Sequence, residues 1–571
     1  MSVHLCLILA GHFLLTALPG VAAALLGARL GVRSVSVLLA IGMAATGVLA
    51  MVAFWSYYGS RMLGETYSFV VFGGSALTVG SSLRGGRIDP GLLRQLATPL
   101  ALWALGSVFL VCLGFMHGGS ESAIAMSSSR FSGQLPSDND IPRYFSEWFY
   151  LHSHSGQPVY PPDWLASDRP PMQVGYVLSQ RVFGDDTTAL HYQIIGVILQ
   201  QMWIVGLWAL LLAARVGRIT RALTIVTVLL SGVAIVNGFF VWPKLLPTAM
   251  LLAAAALLIT PMWEETRSRI AAGGLVGALF ALAMLGHGSS VFGIIPLGLL
   301  AAFRAMPGWR WLAVALLAGL VLLAPWSAYQ KYGEPPGNRL LKYQLAGVPE
   351  IDSRGTLQTL ADSYGESGVG GVLHNKAENF VTMAGGGPMV NRIEIAINAA
   401  ESGHVSTSLA EVRNVIFFYL LPSLSLLLIA PLLMLLARRR RSQRPAEWRF
   451  SLICFAVVGI AATAWGLLMF GNETSRAVLH QGSFLLPVLG LVGATCGLRA
   501  VFPRFAIYFS ALASLLSLAI YVPALTPLQG TSFSPLAVPL TIISLVGFVA
   551  VAFLWPRGSA ACAASQLATA P

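Results

Sequence analysis

The sequence is poor in charge, and above all in acidic residues. Of its 571 residues only 10% are charged, with 23 Asp and Glu against 35 Lys and Arg. In soluble globular proteins charged residues make up about a quarter of the chain. This shortage, together with 56% hydrophobic residues and a mean hydropathy of +0.73, excludes an ordinary soluble protein. The composition predicts an all-α, polytopic membrane protein.

Cysteine is also scarce. The chain has five, all in or beside apolar runs, and none of them forms a CxxC pair or a cluster with histidine: Cys6, Cys112, Cys454, Cys496 and Cys562. This pattern argues against a disulfide framework and against a zinc site.

The positive charge has an explanation in the membrane itself. The net charge is +12 and the isoelectric point is near 9.7, which in a soluble protein would suggest nucleic-acid binding. In a membrane protein, however, excess Lys and Arg collect in cytoplasmic connections and orient the helices. We therefore expect no nucleic-acid partner.

Apolar runs long enough to cross a bilayer, about 20 residues each, number about fifteen. The first, Leu5 to Leu30, contains Ala22-Ala23-Ala24, which is similar to a signal-peptide cleavage site. It lacks a basic n-region and is longer than a usual h-region, so we interpret it as a retained span. The other runs lie near 35–57, 65–82, 93–116, 191–214, 222–241, 243–262, 270–287, 289–305, 310–329, 413–437, 450–470, 480–498, 505–525 and 533–556.

Arginine clusters fall in every second connection between these runs, as the positive-inside rule requires. They predict an amino terminus outside, a carboxyl terminus inside, and two long connections, 117–190 and 331–412, on the outer face. Short turns at 242–244, 287–290 and 472–476 fall on the same face. The cytoplasmic clusters are Arg29 and Arg33; Arg84, Arg87 and Arg94; Arg215, Arg218 and Arg221; Arg267 and Arg269; Arg304 and Arg310; Arg438 to Arg449; Arg499 and Arg504; and Arg557.

The first long connection concentrates the few acidic residues: Asp138, Asp140, Glu147, Asp163, Asp168, Asp185 and Asp186. Ile141, Phe145, Trp148 and Phe149 have helical spacing, which predicts an interfacial helix whose aromatic side lies in the headgroup region. We expect Asp140 to cap this helix. A second helix is expected from Pro170-Pro171 to Gly184.

The second long connection shows less regularity. Pro335-Pro336 precedes an amphipathic stretch, Asn338 to Leu345, which predicts a further helix. The remainder, including Gly385-Gly386-Gly387-Pro388, shows no regular pattern.

Asp138-Asn139-Asp140 is a DxD arrangement. Two carboxylates at this spacing can share a divalent cation or divide the roles of base and orienting group. The tripeptide alone is weak, because turn and cap carboxylates account for most such sequences. Beside interfacial aromatics, it indicates a site for a polar substrate carried by a lipid.

These features resemble the GT-C superfamily of integral-membrane glycosyltransferases. The likeness rests on many spans, the acidic motif 137–140 in a large outer connection, the stretch 163–171 (DWLASDRPP), and Trp242-Pro243-Lys244. It covers about 93–480, the membrane core 93–330 and the connection 331–412 included, with 413–571 as further membrane helices. One departure is that the acidic connection follows the fourth predicted span instead of the first, so 1–92 is an amino-terminal addition whose role stays open.

The resemblance implies a polyprenyl-phosphate-linked sugar donor and a lipid, glycan or protein acceptor at the outer face of a bacterial inner membrane. Such a transfer requires a general base. A carboxylate that caps a helix is a poorer base, so Asp138 is the expected base and Asp140 the orienting group, although the opposite assignment stays open. A Mg²⁺ or Mn²⁺ ion shared by the two carboxylates is an option, since metal use varies in the superfamily. The substrate-binding candidates are Asp168, Arg169, Lys244, His287, Arg339, Lys342, Arg476 and His480.

Each candidate has a structural alternative. Lys244 could snorkel at a helix end, Arg169 could pair with its neighbour Asp168, and His287 could be a hydrogen-bonded packing residue. Two other functions also stay open, a transporter or flippase of a lipid-linked or anionic solute, and an O-antigen polymerase or ligase. The glycosyltransferase should depend on Asp138 or Asp140, and the polymerase or ligase on outer arginine and histidine.

Overall fold

The structure is a computed structural model that describes residues 3–86, 88–131, 135–151, 164–183, 189–260, 266–305, 308–437, 446–473, 484–521 and 533–554, with the side chains of 137, 266–269, 304 and 305 excepted. The described chain is all-helical, which confirms the predicted class. Its α-helices are α1 Val3–Arg29, α2 Val35–Gly59, α3 Arg61–Arg84, α4 Pro90–Gly114, α5 Ala123–Ser129, α6 Ile141–Tyr150, α7 Met172–Gln180, α8 Ala189–Gln200, α9 Trp203–Ala213, α10 Arg218–Leu229, α11 Gly232–Phe240, α12 Leu245–Ile259, α13 Thr266–Gly286, α14 Val291–Ala305, α15 Gly308–Ala328, α16 Arg339–Ala346, α17 Thr356–Ala384, α18 Gly387–Glu401, α19 Val405–Phe418, α20 Leu420–Ser423, α21 Ile429–Ala437, α22 Ala446–Leu468, α23 Leu485–Val501, α24 Pro503–Tyr521 and α25 Ala537–Leu554.

Eight helices of the described chain are long and apolar enough to cross a membrane, or nine if α10 and α11, which are bent by 55° at their junction, form one span. The chain is therefore a membrane protein, but the count of about fifteen spans is not confirmed. Several apolar runs fold as helices that are shorter than a membrane span. The run at 243–262, for example, contains α12 with 15 residues, about 22 Å long at 1.5 Å per residue, against a hydrocarbon core of about 30 Å.

Glycine allows the helices to approach closely. A Cβ atom on Gly42 of α2 would lie 2.8 Å from the carbonyl oxygen of Gly20 on α1. A Cβ atom on Gly277 of α13 would lie 2.0 Å from the carbonyl oxygen of Ala315 on α15. Small residues at such crossings are the usual means of packing membrane helices, because lipid provides no hydrophobic force between them.

The first long connection contains both predicted helices. Helix α6 begins at Ile141 with Pro142 in its first turn, and α7 runs from Met172 to Gln180 before a 3₁₀ turn, Arg181–Phe183. The predicted position of the aromatic side of α6 is wrong. Phe145 and Phe149 are 1% and 2% exposed, and Phe149 packs edge-on against Phe54 of α2 with ring centroids 4.8 Å apart. These rings are inside the protein because α2 offers them an aromatic partner.

The second long connection is more regular than its sequence indicated. The helix expected at Asn338 to Leu345 is present as α16. The segment left unassigned contains α17, which is interrupted at Gly368, and α18, which begins at Gly387 with a proline in its first turn. Glycine at four positions of α17 obscured its helical pattern, because glycine contributes no side chain to a hydrophobic period.

Candidate functional site

The acidic motif forms a 3₁₀ turn, Ser137–Asp140, between α5 and α6. Asn139 is fully buried, its Nδ2 donates to Ser127 Oγ at 2.7 Å, and its carbonyl oxygen accepts a hydrogen bond of 2.6 Å from Tyr192 of α8. The central residue of the motif therefore anchors the turn. Its two neighbours carry the carboxylates to different partners.

Only one of the two carboxylate oxygens of Asp138 has a hydrogen-bond partner among the described residues. Its Oδ2 accepts a 2.8 Å hydrogen bond from Arg169 Nη2, which also makes an ion pair. Its Oδ1 is buried and accepts no hydrogen bond from any described residue. Asp138 is thus oriented by a cation through one oxygen, and its other oxygen is buried without a partner among the described residues.

Both carboxylate oxygens of Asp140 accept hydrogen bonds. Arg143 donates to it twice, from Nε to Oδ1 at 2.6 Å and from Nη2 to Oδ2 at 2.8 Å. The expectation that Asp140 caps α6 is wrong, since it stands at the N-cap position but its side chain makes no cap bond. Arg143, one turn along the helix, takes both oxygens in a fork that backbone amides cannot match.

These bonds bear on the metal option. Both oxygens of Asp140 already accept hydrogen bonds from Arg143, and Asp138 has one oxygen without a described partner. The described residues include no group of three His, Cys, Asp or Glu side chains that could hold a metal ion. Within the described part of the chain, this donor set does not fit a divalent cation, which needs several oxygens around it.

Two arginines lie against the ring of Trp164. The Cζ atoms of Arg169 and Arg339 are 4.3 Å and 5.6 Å from the ring centroid. Arg169 pairs with Asp138 and not with its neighbour Asp168, whose fully buried carboxylate lies 3.4 Å from Arg339 Nη1. The ring face stabilises both cations and holds them beside the acidic motif.

The loop that carries Arg169 is fixed by two buried carboxylates. Asp168 accepts from its own loop, from the amide of Leu165 at 3.1 Å. Glu334 accepts from the amide of Ser167 at 2.6 Å and from the Tyr329 hydroxyl at 3.2 Å. Burial raises the pKa of Asp168 and of Glu334, and these hydrogen bonds lower it in part. The two acids therefore hold the loop in place.

Lys244 and His287 meet at the ends of two helices. Lys244 precedes α12 and is 2% exposed, so it does not snorkel. Its Nζ lies 2.5 Å from Nε2 of His287, which follows α13, and 4.3 Å from the centroid of the Trp242 ring. Burial lowers the pKa of both groups; the charge of Arg169 lowers them further, and Asp138 opposes this at Lys244. The pair therefore belongs to the same electrostatic cluster as Asp138.

Lys342 is placed differently. It is fully buried on α16, and its Nζ donates to the carbonyl oxygens of Asp352 at 2.7 Å and of Arg354 at 2.5 Å. These bonds fix the loop after α16, and they account for Lys342 without a ligand. Arg476 and His480 lie outside the described residues, so their predicted contact with a donor phosphate stays a prediction.

A buried chain of side chains connects the acidic motif to Lys244, and the sequence analysis missed it. Gln173 Nε2 donates to the Tyr192 hydroxyl at 3.0 Å, and Gln200 Nε2 donates to Gln173 Oε1 at 3.2 Å. Gln200 Oε1 then accepts the first two amides of α12, from Leu245 at 2.9 Å and Leu246 at 3.1 Å. This relay aligns the Asp138 turn and the Lys244 turn.

A signal for the relay was present in the sequence. Tyr192 and Gln200 interrupt the apolar run 191–214, and Gln173 is the second residue of α7. Polar side chains within a membrane helix are costly unless they have partners and mark functional interiors.

Comparison with known proteins produced no match at any level: no protein-family model, no curated protein sequence and no solved structure is similar to this chain.

Proposed function

We propose that this chain is a multi-pass glycosyltransferase of the bacterial inner membrane, with its site on the outer face, and that it moves a sugar from a polyprenyl-phosphate donor to a lipid, glycan or protein acceptor. The observation that carries the proposal is the buried, unpaired Oδ1 of Asp138, whose partner Arg169 shares the Trp164 ring with a second cation, Arg339. A base next to phosphate-binding forks is what such a transfer needs. The resemblance to the GT-C superfamily supports the same function.

In the proposed reaction Asp138 Oδ1 takes the proton of the acceptor hydroxyl. The acceptor oxygen forms a bond to the anomeric carbon as the bond from that carbon to the phosphate oxygen breaks, and the electron pair leaves with the phosphate. Arg169 and Arg339 stabilise the charge that grows on the phosphate. Attack opposite to the leaving group inverts the anomeric centre. Asp140, tied to Arg143, positions the turn.

The ion pair between Asp138 and Arg169 has a consequence for binding. A donor phosphate that enters must share the Arg169 guanidinium with Asp138, and the five N–H groups of an arginine allow both contacts. The stacking of Arg169 on Trp164 keeps the fork in place during the exchange. Donor binding should therefore depend on Arg169 and Trp164 together.

The test has two stages. Mass spectrometry of lipids that co-purify with the protein should detect a polyprenyl-phosphate sugar, which then serves as donor in a reconstituted transfer assay. Asp138→Asn keeps the shape and the acceptor oxygen for Arg169 but removes the base, so transfer should fall by about 100-fold or more with donor binding retained. Asp140→Asn should be milder.

Near-wild-type transfer by Asp138→Asn would exclude the role given to this residue. Vectorial movement of the lipid in proteoliposomes without glycosidic bond formation would instead favour the transporter or flippase. Activity that survives Asp138→Asn but is lost on replacement of outer arginines would favour the polymerase or ligase.

A further inference from the structure

The tautomer of His287 is fixed by its own backbone. His287 is the N-cap of the 3₁₀ turn Gly288–Ser290, and its Nδ1 accepts the amide of Ser289 at 3.1 Å, with Ser289 Oγ at 2.7 Å. A backbone amide can only donate a hydrogen bond. Nδ1 therefore carries no proton, and the neutral ring carries its proton on Nε2.

This assignment determines the charge of Lys244. Nε2 of His287 is a donor, and its partner at 2.5 Å is Lys244 Nζ. An ammonium group has three donors and no acceptor, so a charged Lys244 would direct donor against donor. An uncharged amine has a lone pair that accepts the proton of Nε2. The contact is a hydrogen bond only in that form.

The surroundings favour the same form. Lys244 is 2% exposed, and burial in low dielectric disfavours an ammonium. The charged groups that act on the pair include Arg169, which opposes a further positive charge, and Asp138, which favours one at Lys244. In the resting site Asp138 is already paired with Arg169. One carboxylate is thus shared between two basic side chains.

We propose that Lys244 is an uncharged amine in the resting protein, kept so by the Nε2 proton of His287, and that it takes up one proton when the phosphate of an anionic ligand enters the site. The second half rests on the proposed function, and the first half does not. An entering anion adds negative charge to the cluster, and by linkage it favours the protonated form of the nearest base. Lys244 then changes from hydrogen-bond acceptor to phosphate cation.

The chain offers an unusually clean probe, since it has only four lysines: Lys244, Lys331, Lys342 and Lys376. Protein labelled with ¹³C at the lysine ε-carbon gives one resonance for each, assigned by Lys→Arg replacement. At pH 7 we expect the Lys244 resonance at the position of a neutral amine, and the Lys342 resonance, whose amine is bonded to carbonyl oxygens, at the position of an ammonium. A wild-type Lys244 resonance at the ammonium position would overturn the proposal.

Three variants test the cause. Ser289→Pro removes both donors to Nδ1, so the ring can change tautomer and accept from an ammonium, and the Lys244 resonance should move to the charged position. Ser289→Ala, the matched control, keeps the amide and should not move it. His287→Glu places an acceptor carboxylate opposite Nζ and should also produce an ammonium, which keeps the test open if the proline variant does not fold. Unmoved Lys244 resonances in both folded variants would refute the role of His287.

The ligand half uses farnesyl phosphate as probe. Calorimetry at about pH 8, where the phosphate monoester is already fully ionised, in buffers of different ionisation enthalpy should show uptake of about one proton per ligand bound. The Lys244 resonance should move to the ammonium position on saturation. Binding without proton uptake would overturn this half. Absence of binding would contradict the proposed function, yet the resonance of the free protein would still decide the charge of Lys244.

Discussion

The glutamine relay offers a sharp test of how the site is held together. Gln200 satisfies three buried groups: the amides of Leu245 and Leu246 and the Oε1 of Gln173. Gln200→Leu retains much of the volume and leaves all three without this partner. Gln193 lies two turns earlier on the same helix, is equally buried, and makes one such bond, from Nε2 to the carbonyl oxygen of Phe239 at 2.5 Å. Gln193→Leu is the matched control.

A buried polar group that loses its partner costs about 1 to 3 kcal/mol. Gln200→Leu should therefore lower the free energy of unfolding by about 3 kcal/mol at least, and Gln193→Leu by about 1 kcal/mol. The control is expected to be milder for a second reason. Gln193 Oε1 is buried and has no hydrogen-bond partner among the described residues, so its removal relieves a cost.

A third variant separates the two ends of Gln200. Gln200→Glu keeps the oxygens that accept both amides of α12, at a helix amino terminus that favours negative charge. It loses only the donor to Gln173. Its stability should fall between those of the wild type and Gln200→Leu.

The assay is thermal unfolding in one detergent and lipid mixture at one scan rate, because membrane proteins commonly unfold irreversibly and the midpoint then depends on the rate. The order should be wild type, Gln193→Leu, then Gln200→Leu as the least stable. Equal midpoints for the two leucine variants would refute the additive reasoning. A wild-type midpoint for Gln200→Leu would show that the relay does not anchor α12.

Three further outcomes are expected. Gly175→Ala should destabilise the protein in thermal unfolding, because the new Cβ would lie 2.1 Å from the Ala50 carbonyl oxygen. Gly73→Ala should stabilise it by roughly 0.5 to 1 kcal/mol, because a Cβ at this helical position would meet no atom within 4 Å. Hydrogen bonds from Arg354 and Thr359 lower the pKa of Asp352. The stability that Asp352 contributes is therefore present above its ordinary pKa of 3.8 and is lost as the pH falls below that value. Asp352→Asn should weaken the acid dependence of unfolding. In a cysteine-free background, an impermeant thiol reagent should label Ser363→Cys but not Ser442→Cys in intact cells, and the reverse result would invert the predicted orientation.

The sequence by itself determined the class of the protein and the position of most helices. Scarcity of charge and long apolar runs are sufficient for this, because a helix in lipid must be apolar and must satisfy its own backbone. It also predicted α6 and α7 from local spacing and prolines. It did not determine which apolar runs are long enough to span, since helix breaks such as the 55° bend between α10 and α11 depend on packing.

Within the site, the sequence selected Asp138, Arg169, Lys244 and His287, and the structure brings all four into one electrostatic cluster. It could not pair them. Asp138 and Arg169 are 31 residues apart and Lys244 and His287 are 43 apart, so only the tertiary structure decides that each finds the other. Two local alternatives did not form. Arg143, three residues along the chain, offers Asp140 a guanidinium fork in place of a helix cap. Arg169 lies on the Trp164 ring and pairs with the distant Asp138 instead of its neighbour Asp168.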